Sequence, residues 1–310
     1  MNSHSNAVPE SRLESQIMAP SVVSASRRMY WSVRRELWES RSIYIAPLAV
    51  AALFLFGFLI STVHLPARMR AALALNPAQQ HEFIERPYIF AAFLIMGTTF
   101  IVAVFYCLDA LQGERRDRSI LFWKSLPVSD FTTVLSKASI PLVIIPLLTF
   151  AITVVMQLIM LLLSTAVLLG SGMSGSTLWA QSSLFQISLM LLYHLVAVHA
   201  LWYAPIYGWL LLVSAWARRA AFLWAVLPPL AIGVVEKIAF NTSHFGNLLK
   251  YRFGGGAAGV CFTARGLPMD PLMQLTPLKF LATPGLWIGL AVAAAFIFAA
   301  ARLRRYQGPI

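Results

Sequence analysis

The sequence predicts an all-α integral membrane protein: six transmembrane helices, both termini cytoplasmic, and an amphipathic surface helix before the first span. Three observations carry this reading. Hydrophobic residues make up 59% of the chain and charged residues 12%, whereas soluble domains run at about 45–50% apolar and about 25% charged. The apolar residues fall in long blocks without regular polar interruption, the pattern of lipid-facing helix. The basic residues gather in alternate segments between those blocks.

A spanning helix needs about 20 mostly apolar residues. Six blocks meet this, at 43–63, 88–108, 140–169, 184–213, 222–240 and 285–301. The third and fourth are longer than the hydrocarbon core requires, at about 1.5 Å of rise per residue. Pro141 and Pro146 should kink the start of the third, and Pro205 lies inside the fourth. Six spans put both ends on one side. The N-terminal segment, loop 109–137, the segment "SAWARRAA" and the C-terminal end hold 16 of the 24 Lys and Arg, and the opposite loops hold 7. The positive-inside rule makes the first set cytoplasmic.

The expected organisation is a flexible tail over 1–25, an interfacial helix over 26–42, a transmembrane domain over 43–301 and a short cytoplasmic tail over 302–310. In "SRRMYWSVRRELWES", Tyr30, Val33, Leu37 and Trp38 share a face at helical spacing, with Trp31 beside them and Arg27, Arg28, Arg35 and Glu39 elsewhere around the helix. A basic helix with tryptophan suits a membrane surface; the plainer alternative is an extension of the first span. A turn near 40–42 should separate the two. The loop between the first two spans, 64–87, reads as weakly amphipathic. The long outer loop 241–283 contains Phe253, Val260, Phe262, Leu272 and Leu278. That apolar content predicts short helices dipping into the outer membrane face.

A net charge of +12 raises nucleic acid as a partner, but Arg clusters flanking spans are explained by orientation and lipid headgroups, so none is expected. Cys107 and Cys261 fall on opposite sides of this topology, which excludes a mutual disulfide. No Cys or His spacing resembles a metal site, and no cleaved signal peptide is expected.

Several motifs invite a chemical reading. "GSGMSG" at 170–175 fits G-x-G-x-x-G, but it follows a span and opens no strand-helix-strand unit, so a small-residue turn is the better reading. Its near match to G-x-S-x-G fails at Ser176. His194 and His199 are five apart on the fourth span, a spacing that rotates two side chains away from each other on an α-helix, so no metal site is expected. Glu236 and Lys237 are adjacent charges inside a span and form a candidate transport-path pair, with snorkelling to the outer surface as the bland alternative. No G-x-x-x-x-G-K-[ST] occurs, so the chain is not expected to bind ATP or to be an enzyme by itself.

The most informative stretch is "GERRDRSILFWKSLPVSD", 113–130, charged and yet flanked by spans. A short helix should begin near Ser119, with Ile120, Trp123 and Leu126 on one face and Leu121 and Phe122 widening it. That apolar knob, rimmed by Arg115, Arg116, Asp117 and Lys124, can seat in a partner's groove. Pro127 should stop the helix, and Ser129 or Asp130 should cap the next.

The run E-R-x-x-x-[ST]-I-x-x-x-x-S-L-P-V-S from Glu114 to Ser129, followed by Lys137, resembles the coupling loop of membrane permeases of the type-2 ATP-binding-cassette exporters. The specific signal covers about 25 residues, while the six-span layout covers most of the chain. The family often has Gly-Thr where Arg118-Ser119 stands here, and it diverges widely in the outer loop, which leaves subfamily and substrate open. The resemblance implies that Glu114, Arg115, Arg116, Ser119, Ile120, Phe122, Trp123, Lys124, Leu126 and Pro127 couple the chain to separate cytoplasmic ATPase subunits. Those subunits would hold ATP and Mg, and this chain would hold no cofactor. It also implies a second permease copy or relative and export of a cargo, amphipathic or lipid-like, across a bacterial inner membrane. A stand-alone membrane enzyme acting on lipid or peptide, or a membrane scaffold or sensor, are the competing classes.

Overall fold

A computed structural model of the chain describes residues 24–73, 75–125, 128–172, 179, 184–255 and 277–308. Among the described residues every regular element is helical, and six helices are long and apolar enough to cross a membrane. By that length and composition the chain is a multi-pass membrane protein.

Helix α1 (Ala25–Glu39) opens on Ser24, whose side chain accepts from the Arg27 amide. It ends at Ser40, one residue from the turn that starts α2 (Ser42–Ser61). A 3₁₀ turn, Thr62–His64, leads into α3 (Leu65–Leu73), so the segment expected to be weakly amphipathic is largely helical. Asn76 caps α4 (Pro77–Asp109) by accepting from the Gln79 amide, and Pro77 takes the first helical position, where its missing N–H costs nothing. This cap and proline start α4 eleven residues before its predicted apolar onset. Two short helices follow, α5 (Gln112–Arg116) and α6 (Ser119–Ser125).

Ser129 caps α7 (Asp130–Ser139) through the Thr132 amide, as its position predicts. The expected proline kink takes the form of a π turn, Ile140–Ile144, in which the Ile145 amide donates to the Ile140 carbonyl. Pro141 removes one donor from the ladder, and the wider turn absorbs the loss. Helix α8 (Ile145–Gly170) completes the span and ends in a turn where Gly172 takes φ +75°; the rest of the "GSGMSG" run lies outside the described residues.

The fourth apolar block divides. Helix α9 (Leu184–His194) passes into a π segment, Leu195–Trp202, which closes with the Tyr203 amide donating to Val198. A new helix, α10 (Ala204–Trp216), carries Pro205 in its first turn. The predicted single span is therefore a 19-residue stretch, Leu184–Trp202, followed by a shorter apolar helix. Helix α11 (Ala221–Phe240) enters through Ala220 and leaves through Asn241, both left-handed. Two short helices of the predicted outer loop are present, α12 (His244–Phe253) and α13 (Pro277–Leu281). Val260, Phe262, Leu272 and Cys261 lie outside the described residues. Helix α14 (Pro284–Tyr306) is the last element.

Helices α10 and α14 form the most extensive pair. They approach closely because a Cβ at Gly208 would lie 3.2 Å from the Ala293 carbonyl, the small-residue packing that brings membrane helices together. The largest buried cluster joins α2, α4, the π turn and α10 around Ile43, Cys107, Ile140 and Tyr207. Cys107 is a buried free thiol. Helix α11 keeps most of its apolar side chains exposed, including Ile238 and Phe240. Helix α1 and the last turn of α14 meet at the same end of the bundle, where α5 and α6 also lie.

Candidate functional site

At that end lies a cluster of ionised side chains taken out of solvent. Glu114 on α5 sits at its centre. Its carboxylate is 3.1 Å from Lys137 Nζ on α7 and 2.9 Å from Arg304 Nη2 on α14, with Arg35 of α1 at 3.4 Å. Lys137 also reaches both oxygens of Glu36 on α1, at 2.9 and 3.0 Å. Tyr106 donates to Glu36 at 3.1 Å, and Arg304 closes the ring by pairing with Asp130. Glu36, Glu114, Lys137 and Arg304 are all at most 4% exposed.

Burying ions is expensive unless charge and hydrogen bonds are matched. Here three carboxylates meet three cations. Burial alone would raise the Glu36 carboxyl, but Lys137 and Arg35 outweigh it and hold the group below its ordinary range. The consequence is mechanical: one ionic knot fastens α1, α5, α7 and α14.

The neighbouring Arg115 does different work. It is 5% exposed and donates to the Ala215 carbonyl at 2.7 Å, with Ala217 and Gly308 at 3.4 Å. These carbonyls include the end of α10, where a helix leaves acceptors unpaired. Ser214 accepts from the Leu111 and Gln112 amides at 3.0 Å each. The Glu-Arg dipeptide thus splits its roles: the acid faces the ionic knot, and the base seals a helix end.

The orientation of α6 corrects the expected knob. Ile120 is 1% exposed and packs inward. Trp123 is half-buried, with the Arg35 guanidinium 3.7 Å from its ring centroid. The exposed apolar side chains are Leu121 and Phe122, at 59% and 60%. Trp123 turns inward beneath Arg35 of α1, a neighbour that a local helix pattern cannot place. Leu126 and Pro127 lie outside the described residues. Arg115 does not rim a groove; Arg116 and Asp117 are exposed, and Arg116 pairs with Asp117 and Asp109. Lys124 donates to the Gln307 carbonyl at 2.9 Å and the Arg305 carbonyl at 3.4 Å. Ser119 Oγ donates to the Glu114 carbonyl at 3.4 Å. The segment expected as a short cytoplasmic tail over 302–310 is, as far as Gly308, helix and helix end bound to α5 and α6.

Arg118, between α5 and α6, takes φ +59°, a region that favours glycine. Substituting Arg118→Gly should therefore leave the fold intact and raise the melting midpoint slightly, by the equivalent of about 0.5–1 kcal/mol. A lower midpoint in differential scanning fluorimetry would contradict this.

On α1, Val33 and Leu37 are partly buried against the core, whereas Tyr30, Trp31 and Trp38 are exposed. The face drawn from spacing is divided between core and surroundings. Arg34 lies 5.1 Å from the ring centroids of both Trp31 and Trp38. Glu36, which sequence reading passed over, is the buried residue of this helix. One carboxylate in a basic amphipathic pattern looks the same whether it meets water or a lysine 101 positions away.

The candidate transport-path pair separates. Glu236 accepts from the Thr242 hydroxyl at 2.8 Å and from the His244 and Phe245 amides at 2.6 and 2.9 Å. It fastens the end of α11 to the start of α12, while Lys237 is exposed. Arg252 anchors the other end of α12, donating to the Trp202 and Gly285 carbonyls and covering the Trp202 ring at 4.3 Å.

His194 and His199 lie together, with ring centroids 5.6 Å apart, contrary to the α-helical expectation. The π segment between them has a longer period, so residues five apart share a face. Phe100 and Tyr203 pack against His199. Among the described residues no group of three or more His, Cys, Asp or Glu is placed to hold a metal. No family model, no curated protein and no solved structure matches this chain.

Proposed function

We propose that this chain is the transmembrane subunit of an ATP-driven exporter in a bacterial cytoplasmic membrane, akin to the permeases of type-2 ATP-binding-cassette exporters that it resembles in sequence layout. Two such subunits, identical or paired with a relative, surround a path for an amphipathic or lipid-like cargo. Separate cytoplasmic ATPase chains bind ATP and Mg. Both termini and the α5–α6 segment face those ATPases, and α1 lies along the membrane surface with Tyr30, Trp31 and Trp38 among the headgroups.

The observation that carries the reading is the ionic knot around Glu114. It ties α5, which leads directly into the exposed α6, to α1, to the base of the third span and to the end of the last helix. A partner that grips Leu121 and Phe122 and shifts on closing around ATP moves all of these together. Two discrete arrangements of the bundle, biased by a ligand on another chain, are what such coupling requires.

The test is the double substitution Leu121→Glu/Phe122→Glu in the full chain. Both side chains are exposed, so membrane insertion and a monodisperse profile in detergent should be kept. Co-purification of an ATPase with the native chain should be lost with the variant. Equal recovery of the ATPase from both would end the coupling assignment, and so would the absence of any ATPase from the native preparation.

A further inference from the structure

A cavity of about 990 Å³ opens between the second half of α2, the 3₁₀ turn, α3 and the first half of α4, with Ser164 of α8 at its floor. It lies at the end of the bundle away from the ionic knot. Its volume is at the upper end of ligand sites, about 300–1,000 Å³. The lining is mostly apolar and aromatic, with Phe54, Phe58, Phe90 and Phe93 among its walls. Phe90 and Phe93 are more than half exposed, so the cavity opens sideways on the flank of the bundle. Gly57 leaves a gap in the α2 wall, since a Cβ there would meet nothing within 4 Å.

Two cations belong to the same cavity, Arg68 on α3 and Arg86 on α4. Neither has a carboxylate partner among the described residues; the nearby buried Glu85 is engaged by His81 at 3.3 Å. Two exposed guanidinium groups above an aromatic slot match a molecule with an anionic head and hydrocarbon chains. Guanidinium binds phosphate oxygens through paired hydrogen bonds, and a flank opening admits such a molecule from the bilayer plane.

We propose that this cavity is a binding site for one anionic phospholipid of the surrounding leaflet. Its phosphate is held by Arg68 and Arg86, and an acyl chain lies along α2 past Gly57. The site is separate from the α5–α6 segment, so it stands or falls independently of the ATPase.

The test uses the full chain, without ATPase, reconstituted in nanodiscs of equal parts phosphatidylglycerol and phosphatidylcholine and released for native mass spectrometry. The native chain should retain one phosphatidylglycerol, favoured about tenfold or more over phosphatidylcholine, the scale of one or two charge-assisted hydrogen bonds. Arg68→Gln/Arg86→Gln should remove the preference. Gly57→Phe, which fills the slot and keeps both charges, should reduce retention of either lipid. Arg70→Gln should change nothing, because Arg70 is exposed on the same helix outside the cavity. Equal retention of the two lipids by the native chain overturns the proposal, as does a preference that survives the double arginine variant, or retention that Gly57→Phe leaves undiminished. A native preparation that is a lipid-free dimer, and becomes monomeric with Gly57→Phe, also overturns it, because a second copy would then cover the face.

Discussion

Replacing Glu114 by Gln should lower the stability of the purified chain by about 3–5 kcal/mol, the usual cost of removing one partner from a buried ion pair. Among the described residues, Glu114 is the only carboxylate paired with both Lys137 and Arg304. Without its charge, Arg304 keeps only Asp130, and Lys137 keeps only Glu36. Both cations are almost wholly excluded from solvent, so water cannot replace what is lost. The midpoint of thermal aggregation in detergent should fall by about 10 °C, taking about 2–4 °C per kcal/mol for a chain of this order of size. Arg116→Ala, two residues along the same helix but exposed, is the control and should shift the midpoint by less than about 2 °C. A Glu114→Gln midpoint as close to the native value as that of the control would mean that the knot does not hold the bundle together.

A second large effect is expected at the Glu36–Lys137 contact. Lys137→Met alone leaves the Glu36 carboxylate buried with Arg35 as its remaining charge partner, and should cost several kcal/mol. Adding Glu36→Gln removes the stranded charge while keeping an acceptor for the Tyr106 hydroxyl, which donates to it at 3.1 Å. The double variant should therefore melt higher than Lys137→Met alone, a coupling of about 1–3 kcal/mol in a double-mutant cycle. Glu114 stays paired with Arg304 in both, so the comparison isolates the contact. Additive losses would show that the two side chains do not stabilise one another.

Much of the scaffold was legible before any coordinates. Apolar runs long enough to cross a bilayer announce themselves, because lipid leaves a helix no polar face to show. The start of α6 at Ser119 and the Ser129 cap were legible for a local reason: both depend on a few consecutive residues. The π segments were not, since they arise where Pro141 and Pro205 disturb ladders whose repair depends on neighbouring helices. That is why a five-residue spacing, which would separate two histidines on an α-helix, brings His194 and His199 together.

The candidate site was legible only as a segment. The Glu-Arg pair was conspicuous, but its partners were scattered over more than 250 residues, from Arg35 to Arg304. Arg304 read as one of three basic residues ending a span, a pattern that orientation alone explains. Which face of α6 is exposed could not be read either. Ile120 and Phe122 are both apolar, and only the packing of the bundle decides that the first is covered and the second is not.

By itself, the sequence determined the lipid-spanning helices, the start of α6, the cap of α7, and the position of the charged segment between spans. Each follows from local composition, because the bilayer and the helix ladder act on neighbouring residues. The tertiary structure alone decided which charges are buried, what each is paired with, and which side of α6 is left exposed. Those outcomes depend on contacts between residues far apart in the chain, where a buried ion is tolerable only if its counter-ion arrives from another helix.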